Sequence, residues 1–206
     1  MPETIVKHAS KTAGILIGFA LAYTLLLAYT HVVTKVPIEI SEAKVRMALF
    51  SEILPENWHN NNILKDSISI APNELLGNRL PIIANRARID NKPTAIILEA
   101  LAHDGYAGDI KLLIAIKYDG SIAGVRVLKH KETPGLGDYI DILKGNWIKL
   151  FNGESLEKTS ETKWAVKKDG GQFDYMSGAT ITPRAVVKAV HKALQYFAAN
   201  KEALFK

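Results

Sequence analysis

The chain has no cysteine, which excludes disulfides, thiolate metal ligands and cysteine-ligated iron–sulfur clusters. It has six histidines but no H-x-x-x-H pair, so the spacing of a zinc hydrolase is missing. No G-x-S-x-G presents a serine, and no G-x-x-x-x-G-K-[ST] cradles a hydrolysed nucleotide. Repeats and low-complexity tracts are absent too. Excess positive charge is thin: the net charge is +5 over 206 residues, with no basic stripe. Nucleic acid is therefore not an expected partner.

The most informative absence is local. From Thr12 to Thr34, 23 consecutive residues contain no Asp, Glu, Lys or Arg. Within that gap, Ala13–Val33 as a helix spans roughly 31 Å, which matches a bilayer core of about 30 Å. The run is longer than the 7–15 residues of a signal-peptide core, so it reads as a membrane helix in contact with lipid. Lys7 and Lys11 precede it, while Lys35, Lys44 and Arg46 follow, so charge alone leaves its orientation open.

After the anchor, Ser41 is placed to cap a helix that runs to about Leu54, with Pro55 as its stop. Residues 56–66 read as a polar loop, and strand character begins near Ile68. Thr94–Ala102 is an apolar run closed by a turn at His103-Asp104-Gly105. Ile110–Tyr118 and Ile122–Leu128 flank Asp119-Gly120, a hairpin signal. The unbroken apolar stretch Leu112–Ile116 predicts a strand covered on both faces. Trp164–Lys167 is a short strand candidate. Val186, Val187, Val190, Leu194 and Phe197 fall at helical spacing, predicting an amphipathic helix over about Pro183–Asn200 with His191 on its solvated side. The expected fold is α+β: one N-terminal transmembrane helix, then a mainly antiparallel sheet covered by a C-terminal helix. The corresponding division is a tail at 1–12, the membrane helix at 13–33, a helix and connector at 34–93, and the main domain at 94–206.

Two segments could carry chemistry. In Asp174-Tyr-Met-Ser-Gly-Ala-Thr-Ile-Thr-Pro183, Thr182 before Pro183 reads as a helix cap, so Ser177 and Thr180 sit on the turn leading into a helix N-terminus. Such a terminus offers free N–H groups and partial positive charge to a phosphate. Gly178 and Ala179 let a bulky group approach the backbone. Arg184 is disfavoured by the dipole in the first turn, and a phosphate ligand would give it a contact. The second segment, Glu132-Thr133-Pro134-Gly135-Leu136-Gly137, is a loop whose backbone can approach a planar ligand, with Leu136 as an apolar contact. Each segment alone also reads as an ordinary turn. The basic residues Arg79, Arg86 and Arg88 read as a solvated face, with a partner-subunit contact as the alternative.

Taken together, Gly120-x-Ile-x-Gly-Val125, His130-x-Glu-Thr-Pro-Gly-Leu-Gly137 and Asp174-x-x-Ser-Gly-Ala-Thr180 resemble the covalent FMN-binding domain. That domain occurs in the G subunit of the Rnf (Rsx) electron transport complex and the C subunit of sodium-pumping NADH:quinone reductase. The resemblance covers about residues 94–200. It implies FMN joined through its phosphate to Thr180, a flavin transferase that uses FAD and reads the Asp174–Thr180 pattern, and a Glu132–Gly137 loop bordering the flavin ring. It further implies other membrane subunits as partners, electron relay within an ion-translocating complex rather than stand-alone catalysis, and a periplasmic domain on the bacterial inner membrane. The chain's length favours the Rnf protein. A non-redox, membrane-anchored assembly module is the reading from a different class.

Overall fold

The computed structural model describes the backbone from Pro2 to Lys206 and side chains from Thr4. It divides into two compact units, the first ending at Arg46 and the second spanning Met47–Lys206. Helix α1 (Pro2–Ile53) carries the apolar run, with every residue of the 13–33 segment exposed, and is the one described helix long and apolar enough to cross a membrane. The helix already includes residues 2–12, where a tail was expected, and no new helix starts at Ser41. Pro37 lies inside it. A proline there removes the N–H that would reach the carbonyl of Val33, at a cost of about 3 kcal/mol. The helix nevertheless continues through it to Ile53.

The second unit is built on one antiparallel sheet in the order β1 (Ser67–Ile70), β2 (Ile82–Ile89), β3 (Lys92–Gly105), β4 (Gly108–Lys117) and β5 (Ile122–Lys129). Residue 94 falls inside β3, and β1 and β2 on its N-terminal side belong to the same sheet. The β2–β3 connection is a two-residue turn with positive φ at Asp90 (50°) and Asn91 (64°), residue types that tolerate that conformation. Asp119-Gly120 closes β4 onto β5 as expected, with Gly120 at φ 91°.

Both faces of the sheet are apolar. Ile96, Leu98, Ala100 and Ala102 of β3 and Ile110, Leu112, Ile114 and Ile116 of β4 pack beneath helix α2 (Ile181–Phe205), which contributes Val186, Val190, Leu194 and Phe197. The opposite face, with Ala95, Ile97, Leu113 and Ala115, is covered by Phe50 and Ile53 at the end of α1, followed by Leu54 and Ile63. Gly124 lets that cover approach closely: a Cβ there would lie 2.9 Å from the Ile53 backbone. Arg126 fastens it, donating to the Glu52 carboxylate and main-chain carbonyl, each at 2.9 Å.

The basic run is largely internal. Arg86 and Arg88 both bind Asp66, at 2.6 and 2.9 Å, and Arg88 donates to the Phe205 carbonyl at the C-terminal end of α2. Burial raises the Asp66 pKa, but hydrogen bonds from the two guanidinium groups outweigh it and hold the carboxyl below its usual range. Arg79 alone of the three is exposed. Trp164–Lys167 forms only an isolated bridge between Val166 and Phe173, because turns at Glu161–Lys163 and Lys167–Asp169 enclose it. His191, expected in solvent, stacks on the buried Trp164 with centroids 5.1 Å apart and planes 5° from parallel.

Desolvation against Trp164 lowers the His191 pKa, with Glu161 opposing more weakly. Below the unfolded-state value of about 6.5 the unfolded chain takes up a proton that folded His191 resists, so stability falls as pH drops through that point and the loss ends below the folded pKa. The thermal midpoint of the second unit should therefore fall between about pH 7.5 and 5.5, and His191→Phe should reduce that fall. Circular dichroism melts of both proteins across the range check it.

Candidate functional site

Three segments that are distant in sequence meet at one end of the sheet and enclose a cleft of about 180 Å³. Tyr106, at the tip of the β3–β4 hairpin, forms one wall. Glu132, Thr133, Leu136 and Gly137 form the second, and Gly178 through Thr182, running into α2, form the third. Tyr106, Leu136 and Ile181 present large apolar surfaces to solvent around it, being 70, 47 and 46% exposed.

Local chemistry shapes the third wall. The Ala179 N–H donates to the Met176 carbonyl at 3.1 Å, closing a turn whose third residue, Gly178, has φ 87°. Glycine meets that requirement without strain. The turn is held to the domain from two directions. The Met176 N–H donates to the Tyr139 hydroxyl at 3.2 Å, and the Trp147 indole N–H donates to the Asp174 carbonyl at 2.7 Å. Burial raises the Tyr139 pKa, with the Met176 N–H opposing, so the phenol stays protonated at neutral pH.

Helix α2 starts earlier than expected: Thr180 is the cap residue, and Thr182 lies inside the first turn. Thr182 is 1% exposed and its hydroxyl donates to Glu132 Oε2 at 2.5 Å instead of capping the helix. The Thr180 side chain makes no capping bond, lines the cleft and is partly exposed. The two hydroxyls, separated in sequence only by Ile181, are thus distinct: both residues line the cleft, but that of Thr182 is buried and bound to Glu132 while Thr180 is partly exposed.

Glu132 is 4% exposed. Its Oε1 accepts the Ala107 N–H at 3.1 Å, and its own N–H donates to His130 Nδ1 at 3.1 Å. A Cβ at Gly137 would sit 2.7 Å from Glu132 Oε2 and 2.9 Å from Thr182 Oγ1, so glycine is required for the seat.

Of the residues expected from the sequence, Glu132, Thr133, Leu136, Gly137, Gly178, Ala179 and Thr180 line the cleft. Pro134 and Gly135 are exposed in the same loop without lining it, and Gly135 donates its N–H to Asp138 Oδ1 at 2.8 Å. Ser177 is exposed on the turn, and the Asp174 carboxylate pairs with Lys167 at 2.5 Å. Arg184, which the dipole argument linked to a phosphate, grips Asp169 through Nε and a terminal nitrogen at 2.5 and 2.6 Å. Asp169 sits at the turn before Gly170, and nothing in the sequence pattern brings it to α2. Tyr106 and Ile181 are cleft residues that the sequence did not mark. An aromatic residue one position after Gly105 and two before Gly108 is the available signal for Tyr106.

The chain is similar over nearly its whole length to proteins named as the G subunit of an ion-translocating oxidoreductase complex. It is 45% identical over 203 residues to that of Pseudomonas aeruginosa PAO1, covering 98% of this chain and 95% of the relative. With that of Shewanella loihica it shares 44% over 205 residues, covering 99 and 94%. It belongs to this G-subunit family. Residues 1–53 match the RnfG N-terminal region, and residues 105–195 match the FMN-binding domain. The second match runs from Gly105 in the hairpin to Gln195 in α2 and so takes in every residue that lines the cleft. The Vibrio atlanticus protein of the same name is also similar, 43% identical over 198 residues, covering 96% of this chain and 94% of the relative.

Gly137→Ala should damage this site selectively. Its methyl group would be forced against the Glu132 carboxylate and the Thr182 hydroxyl, and overpacking of this kind costs about 1–3 kcal/mol. Urea unfolding followed by Trp fluorescence should show the lower midpoint, while Gly145→Ala, which like Gly137 lacks a positive φ and whose Cβ would meet only the Tyr139 carbonyl at 3.5 Å, should change it little.

Proposed function

We propose that this chain is the membrane-anchored flavoprotein subunit of an ion-translocating oxidoreductase complex, and that it carries FMN covalently through Thr180. The observation that carries the attachment site is the contrast between two threonines that both line the cleft: Thr180, at a helix N-terminus, is partly exposed and makes no capping bond, whereas Thr182 is 1% exposed with its hydroxyl bound to Glu132. When bound, FMN supplies reversible uptake and release of electrons.

The residues present fit that group. Gly178 offers no side chain, and a Cβ placed there would meet nothing within 4 Å, leaving room beside the Thr180 hydroxyl. The first N–H groups of α2 have no intrahelical partners and favour the remaining negative charge of a phosphodiester. With Arg184 paired to Asp169, that stabilisation falls to the backbone rather than to a guanidinium. Tyr106, Leu136 and Ile181 would hold the apolar ring by removing their exposed surface from water.

Attachment balances as a phosphoryl transfer. The Thr180 oxygen bonds to the FMN-side phosphorus of FAD, the diphosphate linkage breaks, AMP departs, and the hydroxyl proton passes to the transferase or water. The exposed Asp174–Gly178 segment is where a transferase can read the chain. This reading places the second unit on the periplasmic side of the bacterial inner membrane, with α1 in lipid and the other complex subunits as partners. Similarity to the G-subunit family over both the N-terminal region and the FMN-binding domain favours it over the quinone-reductase C subunit.

In cells that contain the transferase, Thr180→Ala should abolish flavin fluorescence of the denatured band, and Thr182→Ala should retain most of it. Intact-mass spectrometry provides the second measure. Flavin on the Thr180→Ala protein would displace the site, and an unmodified wild-type chain would favour a non-redox assembly role.

A further inference from the structure

We infer that Glu132 is the positioning residue of the flavin site: its buried carboxylate ties the three walls of the cleft together and thereby seats the flavin, without taking part in its attachment. This rests on the reading above that Thr180 carries the cofactor.

Each wall meets the same carboxylate. Oε1 takes the Ala107 N–H from the β3–β4 hairpin, and Oε2 takes the Thr182 hydroxyl from the first turn of α2. The residue itself begins the 132–137 loop. Glycines make the seat: a Cβ at Gly105 would lie 3.0 Å from Oε1, and one at Gly137 2.7 Å from Oε2. The carboxylate therefore fills a socket with one donor and one glycine for each oxygen. Charge-assisted bonds of this kind are stronger than neutral ones, and a buried carboxylate stripped of a donor is costly.

Position separates this role from attachment. The hydrogen-bonded ends of the tie are buried, Glu132 at 4% exposure and Thr182 at 1%. Asp174, Ser177 and Gly178, which a transferase would read, are by contrast exposed. What the tie controls is whether Tyr106, Leu136 and Ile181 stand close enough together to receive a planar group already bonded to Thr180.

The test compares the full-length wild type with Glu132→Ala, Glu132→Gln and Thr182→Val, each purified in detergent after coexpression with the transferase. Gln can still accept from Ala107 and can donate to Thr182, so it retains the tie without the charge. Covalent flavin per chain is read by intact mass, and seating by iodide quenching and by the visible circular dichroism of the flavin. Glu132→Ala and Thr182→Val should keep the covalent flavin but lose about tenfold in the ratio of seated to unseated flavin, equivalent to about 1.4 kcal/mol. Glu132→Gln should restore most of the seating. Wild-type dichroism and quenching in a folded Glu132→Ala protein would overturn the inference, as would loss of attachment in it. If Glu132→Ala fails to fold, Thr182→Val decides by the same two readouts.

A flavin-free arm keeps the two proposals distinguishable. In a Thr180→Ala background, Glu132→Ala should speed hydrogen exchange at the Ala107 amide by about tenfold, and unchanged exchange would overturn the tie. A wild-type chain without flavin defeats the functional reading, and the exchange result still judges the role of Glu132.

Discussion

A sheet with two apolar faces has to be covered twice, and the rest of this fold follows from that constraint. β3 and β4 alternate large aliphatic residues onto both sides, and neither set can be left in water. Each fully buried aliphatic side chain of this size contributes about 1.5–3 kcal/mol, so exposing one face would remove a large share of a domain's net stability. Helix α2 supplies one cover. Among the described residues, the second unit has no other long helix of its own, and the remaining face is covered by the last turns of α1 and the loop after it. The element that begins as a membrane anchor thus ends as core. Gly124 and Arg126 show the fit on the sheet side, one by removing a side chain from the contact and the other by binding Glu52 in both its side chain and its backbone.

The site lies where coverage by α2 starts. The first turn of a helix that must lie across the sheet brings Thr180–Thr182 next to the β3–β4 hairpin tip and the loop that follows β5. A helix start carries unpaired donors, and two kinds of acceptor can use its field: a buried carboxylate and an exposed phosphate. Here the turn keeps a separate side for each. Glu132 takes the inner side through Thr182, leaving Thr180 on the outer side. Two threonines in one turn become chemically unequal through burial and the bond to Glu132.

Much of this was legible in the sequence where the determinants are local. β3, β4, β5 and α2 follow from apolar periodicity, and the β4–β5 turn from Asp119-Gly120. β2 was hidden because Asn85, Arg86 and Arg88 interrupt its apolar pattern. Its polar residues are satisfied by distant groups instead: Asn85 by the Ile63 carbonyl, the arginines by Asp66 and the end of α2. The protein partners of Arg184 and His191 failed to show for the same reason, since Asp169 and Trp164 are placed beside them only by the folded chain. At the site, the motif spelling marked a loop and a threonine that line one cleft, but the work of Glu132 was invisible. Sequence suggested a loop that borders a ligand, and it did not show that the Glu132 carboxylate also binds the Ala107 N–H and the Thr182 hydroxyl.

The size of the cleft explains why a covalent bond would suit this site. Pockets that retain small molecules by enclosure are about 300–1,000 Å³, and this one is about 180 Å³ with its apolar rim open to solvent. Deepening it would have to come from the hairpin tip, the 132–137 loop or the first turn of α2, and all three are already committed to the Glu132 socket and the packing beneath it. A bond to Thr180 removes the need for depth, because a tethered group remains at high local concentration even where noncovalent contact is slight. The shallow site then becomes an asset for a relay. A flavin at the surface can come close to an electron partner, with no lid to open, while the bond prevents its loss between redox states.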